Sequence, residues 1–155
     1  VLTEPGEDPD DIRQAIHIAH AEGFSVMAHA NGAETVIAAC EEKVDSIEHG
    51  AYLNEEALCA MAEAGTVWVP TLSTIGNLRG KGRFLEEEVE KILESAMKNV
   101  RRFAALGGLI APGTDAGAWA VPHGSLTEYA LLLEALGEDT DALLEKGITV
   151  IREKF

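Results

Sequence analysis

Short apolar runs that end on a polar side chain beside a glycine recur along this chain, and they restrict its fold more than any other feature. Phe24-Ser25-Val26-Met27-Ala28 ends on His29, Val44 to Glu48 ends on His49, and Ile110-Ala111-Pro112-Gly113-Thr114 leads to Asp115. The runs show little alternation of apolar and polar residues, so the strands they form are buried on both faces. Such strands belong to a parallel sheet covered by helices.

Helical signals fill the intervals. Asp8-Pro9 supplies a cap and a first-turn proline, and Ile12, Ala15, Ile16 and Ala19 repeat at helical spacing until Gly23. Strands are predicted over Phe24 to His29, Ser46 to His49, Thr66 to Pro70 and Leu109 to Pro112. Helices are predicted over Gly32 to Lys43, from the Asn54 cap to Gly65, and over Phe84 to Leu106, where Leu85, Val89, Ile92, Leu93, Ala96 and Val100 point inward. Two more helices, Leu126 to Leu136 and Asp141 to Phe155, close the chain. The first three strands begin at intervals of about 21 residues, one βα unit each, and a longer insertion with Gly76, Gly80 and Gly82 precedes the fourth. The 155 residues suit one α/β domain with one core.

Charge narrows the function. A formal net charge of -15 argues against nucleic acid and anionic membranes as partners, because both require a basic surface. A small molecule is the expected partner. Cys40 and Cys59 have neither disulfide-framework nor zinc-knuckle spacing, which fits a reducing cytoplasm, and no apolar stretch is long enough to span a bilayer.

In parallel α/β folds, sites are built at the carboxyl ends of strands, where His29, His49 and Asp115 are expected to lie. Neutral imidazoles and a carboxylate there can bind a divalent metal, and the carboxylate can take a proton from water. Taken singly, each histidine is equally a buried ring bonded to backbone, and for Asp115 an Asx-turn or a helix cap is the stronger reading. Their shared topological position favours the metal site. His123, in the loop beyond Asp115, either touches substrate or caps the helix opening at Ser125. His17 and His20 share a helical face and are structural or solvated. Glu48 in a regular strand points away from His49, toward the helices or an outer layer of the site. Tyr52, Trp68 and Trp119 are candidates to line a pocket, with Trp68 better placed for the core.

Val26-Met27-Ala28-His29-Ala30-Asn31-Gly32, Ser46-Ile47-Glu48-His49-Gly50 and Gly113-Thr114-Asp115-Ala116-Gly117, followed by Pro122-His123-Gly124, resemble the second half of the amidohydrolase superfamily. The likeness is greatest to its imidazolonepropionase-like and prolidase-like branch and runs from Val1 through at least Glu128. It implies strands five to eight of a TIM-type (β/α)8 barrel holding one or two divalent metals, usually zinc. It implies that His29 and His49 bind metal and that Asp115 is both a ligand and the general base. It places Val1 to Gly6 in the loop after the fourth barrel strand, leaving the family's His-x-His, its bridging lysine or glutamate and its small β-sandwich outside this chain. Gly32 stands where deaminases of the family carry glutamate, so the implied reaction is hydrolysis of a peptide-like or cyclic amide.

A half barrel alone exposes two strand edges and an apolar inner face, which calls for the missing half or for a second copy of the chain. The competing reading is a non-catalytic half-barrel module that self-assembles or binds a ligand. A receiver-type phosphate acceptor at Asp115 is disfavoured, because the acidic cluster its magnesium site needs is absent from the amino-terminal region.

Overall fold

In the computed structural model, which describes residues 6–117 and 120–155, four strands form one wholly parallel sheet in the order β1-β2-β3-β4. The strands are β1 (Met27–Gly32), β2 (Ser46–Tyr52), β3 (Val67–Val69) and β4 (Leu109–Ile110). The helices are α1 (Pro9–Ala21), α2 (Ala33–Glu41), α3 (Glu55–Ala64), α4 (Leu72–Gly76), α5 (Glu86–Ala105), α6 (Thr127–Leu136) and α7 (Thr140–Lys154). The α/β parallel architecture expected from the sequence is therefore present. Trp119 and Val1 to Pro5 lie outside the described residues.

Local chemistry explains the helix ends. Asp8 accepts a hydrogen bond from the Asp10 amide at 2.9 Å, ahead of Pro9 in the first turn of α1. Asn54 accepts one from the Ala57 amide at 2.9 Å, and Gly65 closes α3 with a left-handed φ of 71°. Glu86, Glu87 and Glu88 in the first turn of α5 and Arg102 in its last complement the helix dipole.

Strand register assigns the two faces. Ala28, Ile47, Trp68 and Ile110 lie side by side and face the main core, where α2, α3 and α5 contribute Val36, Leu58, Met61, Leu93 and Phe103. Trp68 meets Phe103 edge to face with ring centroids 5.6 Å apart. Met27, His29, Ser46, Glu48, Val67, Val69 and Leu109 occupy the opposite face.

That opposite face was expected to be bare, and half of it is not. Ile148, Val150 and Ile151 of α7 pack on a cluster containing Val67, Val69, Ala111 and Leu109. The Ala111 amide donates to the Trp68 carbonyl at 3.0 Å, so the carbonyl of Ile110 points away from β3, toward the free edge of the sheet. Gly147 of α7 lies against that carbonyl: a Cβ there would be 2.1 Å from its oxygen. A helix therefore covers the β4 edge that a parallel sheet would otherwise leave unpaired. The far end of α7 is tied down by Lys154, whose Nζ is 2.7 Å from Asp45 and whose carbonyl accepts from Ser25 Oγ at 2.9 Å. Asp45, on the amino-terminal side of β2, also accepts from the Val26 amide at 2.8 Å and lies 3.0 Å from His20 Nε2, which gives His20 the structural role expected of it.

Several boundaries differ from expectation: β2 runs on to Tyr52, β4 ends at Ile110, and α4 is an element the sequence does not predict. Phe24 is 67% exposed and precedes β1, which instead continues through Asn31 and Gly32 because Gly32 pairs with Tyr52 after a bulge. Leu85 is 70% exposed at the N-cap of α5 instead of pointing inward.

Candidate active site

Three residues in or beyond the carboxyl-terminal parts of β2, β3 and β4 leave regular strand geometry. His49, Thr71 and Asp115 have φ of 76°, 46° and 50°, and Lys43 is the one other described non-glycine residue with positive φ. Left-handed backbone is costly for β-branched and bulky side chains, and it concentrates where function over-determines structure. At His49 the cost is met by specific supports. Gly50 continues the turn at φ 70°, and a Cβ on it would be 2.9 Å from both Leu53 Cδ1 and Trp68 Nε1. Trp68 Nε1 donates to the His49 carbonyl at 2.9 Å, and Asn31 Oδ1 accepts from the Ala51 amide at 3.2 Å, joining the ends of β1 and β2.

The result brings two of the predicted ligands together. The rings of His29 and His49 lie edge to face, their centroids 4.4 Å apart. His49 Nδ1 is 2.7 Å from Thr71 Oγ1, an arrangement that orients the imidazole and leaves Nε2 available. Burial lowers the pKa of His49, His29 lowers it further, and Asp115 opposes the shift, so the ring favours its neutral, metal-competent form. His29, His49 and Asp115 all line one cavity of about 250 Å³. Its remaining wall is largely apolar and includes Tyr52, Ile75, Leu78, Phe84 and Ile92. Tyr52 thus takes the lining role expected of it, while Trp68 is fully buried in the core.

Two expectations change. Glu48 does not face the helices: it is in register with His29 and Val69 on the opposite face, because the turn at His49 breaks the alternation that would have separated the two side chains. Burial raises the Glu48 pKa against a 2.8 Å hydrogen bond from Ser46, and the nearby charge of Asp115 raises it further. His123 is exposed, lies beside Gly117 and does not line the cavity. It does not cap α6 either: Leu126 is the N-cap residue, and the Thr127 amide donates to Ser125 Oγ.

The donor set fits a divalent cation in part. Two imidazoles and a carboxylate face one cavity, yet among the described residues no group of three or more His, Cys, Asp or Glu is gathered closely enough to hold an ion. Further donors are needed to complete a coordination shell.

No family model matches the chain. An uncharacterised protein of Mycobacterium tuberculosis is 29% identical over 134 residues, 83% of this chain and 36% of that protein. An ochratoxinase of Aspergillus niger is 30% identical over 112 residues, 69% of this chain and 23% of the ochratoxinase. A solved Xaa-Pro dipeptidase with methionine bound in its active site superposes with a TM-score of 0.80 at 26% identity, over 98% of this chain and 40% of the dipeptidase. The chain belongs to the amidohydrolase superfamily. It spans well under half the length of each of these relatives. Among the described residues, no helix of this superfamily member is long and apolar enough to cross a membrane.

The chain also holds a residue that its sequence does not single out. Glu128, in the first turn of α6, is 1% exposed, and its Oε2 accepts from the Ser73 amide at 2.6 Å. Its Oε1 has no hydrogen-bond partner among the described residues. Burial pushes its pKa from 4.5 up to about 7, although hydrogen bonds from Ser73 and Leu72 favour the anion. The folded state therefore holds a proton that the unfolded chain has already released between about pH 4.5 and 7. The stability Glu128 contributes below its unfolded pKa is lost as pH rises through about 7, by roughly 3 kcal/mol in total. Urea unfolding of the wild type and Glu128→Gln across pH 4 to 9 is expected to show this as a difference between the two curves. A constant difference would refute the assignment.

Proposed function

We propose that this chain forms part of the catalytic barrel of a metal-dependent amide hydrolase, contributing the strands that resemble the fifth to eighth. The observation that carries the reading is the convergence of His29, His49 and Asp115, from three strand ends, on one cavity. His29 and His49 would hold a divalent ion, with Asp115 as a further ligand, and zinc suits such donors. When bound, the ion polarises a carbonyl and makes water acidic enough to attack at neutral pH. Asp115 accepts the proton of the attacking water on a carboxylate oxygen and passes it to the leaving nitrogen. The remaining ligands come from the rest of the natural protein, whose strands complete the barrel.

The apolar wall of Ile75, Leu78, Phe84 and Ile92 favours a substrate carrying an apolar group of amino-acid size next to the scissile amide. The methionine bound by the dipeptidase is such a group. His123, outside the cavity, would meet only the distal part of a longer substrate. The test is metal analysis of the natural protein, with hydrolysis of dipeptides and N-acyl amino acids whose side chains are apolar or acidic. Chelation is expected to abolish hydrolysis, zinc to restore it, and apolar substrates to be preferred by at least about tenfold. A protein that binds no divalent ion and cleaves none of them would overturn the reading.

One observation favours a second reading, a self-contained module without catalysis. α7 covers the β4 edge and half of the second face, so part of the surface that would demand a partner is already satisfied. Closure of a barrel at β4 requires α7 to leave that edge.

A further inference from the structure

Glu128 has no task in the proposed chemistry, yet it is the most deeply buried carboxylate, ammonium, guanidinium or imidazole among the described residues. A buried carboxyl with one oxygen unpaired is costly, and an apolar residue of similar size would pack there at less expense. What the carboxyl does is hold a turn. Its Oε2 accepts from the Ser73 amide, and the Ser73 hydroxyl donates to the Thr114 carbonyl at 2.9 Å, directly before Asp115. Two residues before Ser73, Thr71 sits in left-handed backbone with Oγ1 2.7 Å from His49 Nδ1. One turn beyond Glu128, Leu131 lies so close to Gly76 that a Cβ on the glycine would be 2.7 Å from Leu131 Cδ1, which leaves α6 and α4 little freedom to slide.

We propose that Glu128 is a positioning residue that fixes the Thr71–Ser73 turn, and through it both the imidazole of His49 and the backbone carrying Asp115. The proposal rests on the reading of His49 and Asp115 as metal ligands. Outer groups that orient ligands typically change metal affinity by about 10- to 100-fold when removed. Glu128 acts one step further out, so the lower end applies.

The experiment uses the natural protein stripped of metal, with zinc affinity measured by competition against a chromogenic chelator and the His49 ring followed by long-range ¹H–¹⁵N NMR before zinc is added. Glu128→Ala is expected to weaken zinc binding about tenfold and to shift the His49 ring signals. Glu128→Gln keeps an acceptor for the Ser73 amide and is expected to retain both, within about threefold. Ser73→Ala, which keeps the Ser73 amide but removes the hydroxyl that reaches the Thr114 carbonyl and Glu128, is expected to weaken zinc binding about fivefold. Wild-type zinc affinity and His49 signals in a folded Glu128→Ala protein, with zinc binding lost in His49→Ala, would overturn the proposal alone. Zinc binding untouched by His49→Ala overturns the ligand reading, and the proposal with it. Should Glu128→Ala not fold, Ser73→Ala decides, and unchanged affinity in that variant overturns the proposal.

Discussion

Replacing Asp115 with asparagine in the natural protein is expected to lower kcat on its best amide substrate by about 10³-fold while the protein stays folded and retains metal. The choice of asparagine matters because Asp115 has a φ of 50°, a conformation that Asp and Asn accept more readily than other side chains. Alanine would mix backbone strain with loss of the carboxylate. Asparagine keeps the size, the backbone conformation and one ligating oxygen, and removes the negative charge together with the capacity to take a proton. His29 and His49 are left to hold the ion, so a fall in kcat with metal content unchanged separates the base from the ligand role. A loss of about 10³ corresponds to roughly 4 kcal/mol of transition-state stabilisation, more than a neutral hydrogen bond supplies. If Asp115→Asn hydrolyses at the wild-type rate with metal in place, Asp115 is not the base. Glu48, on the same face and within electrostatic reach of Asp115, is then the next carboxylate to test.

How much of this was legible in the sequence depended on how local its cause was. Helix starts were legible because their causes are local: Asp8-Pro9 and Asn54 cap by bonds to amides two and three residues away. The parallel sheet was legible from unalternating apolar runs, and the three ligand candidates from their place at the ends of those runs. The start of β1 was not. Ser25 and Val26 are held by Lys154 and Asp45, neither of which is a sequence neighbour, and Phe24 is left in solvent before the pairing begins. Of the two places open to Glu48, the helix side is excluded for a related reason, and the outer layer of the site is the one it takes. Alternation assumes a regular strand, and the left-handed turn at His49 and Gly50 depends on an indole from β3 and on space that only a glycine leaves beside Leu53. Glu128 read as one more acid in a helix's first turn, since its burial arises from α4 packing across it. A faint signal is present: the five residues that follow it, Tyr129 to Leu133, are apolar or aromatic, so an acid at their head is more exposed to burial than most.

Gly147 shows the same limit most sharply, and it supplies the second large effect. In the middle of a 15-residue helix, glycine costs about 1 kcal/mol relative to alanine, so sequence alone marks the position as one to improve. Packing reverses that sign. A Cβ at Gly147 would be 2.1 Å from the Ile110 oxygen, 2.4 Å from its carbonyl carbon and 3.0 Å from the Ala111 nitrogen. These are backbone atoms of β4 and of the residue after it and cannot rotate away, so α7 itself must withdraw, pulling Ile148 and Ile151 off Val67 and Val69. In this 155-residue chain, Gly147→Val is expected to reduce stability by about 4 kcal/mol in urea unfolding, at the upper end for overpacking because the obstacle is backbone. Propensity alone predicts a small gain, so the two causes differ in sign as well as size. The same substitution also discriminates between the two readings of the chain. If strands from elsewhere in the natural protein pair with β4 to close a barrel, α7 no longer touches the Ile110 carbonyl, and Gly147→Val in that protein should change stability by less than about 1 kcal/mol. If the four-stranded sheet is the finished domain, the penalty of about 4 kcal/mol persists in the natural protein, and with it the conclusion that α7 is the permanent cover of the β4 edge.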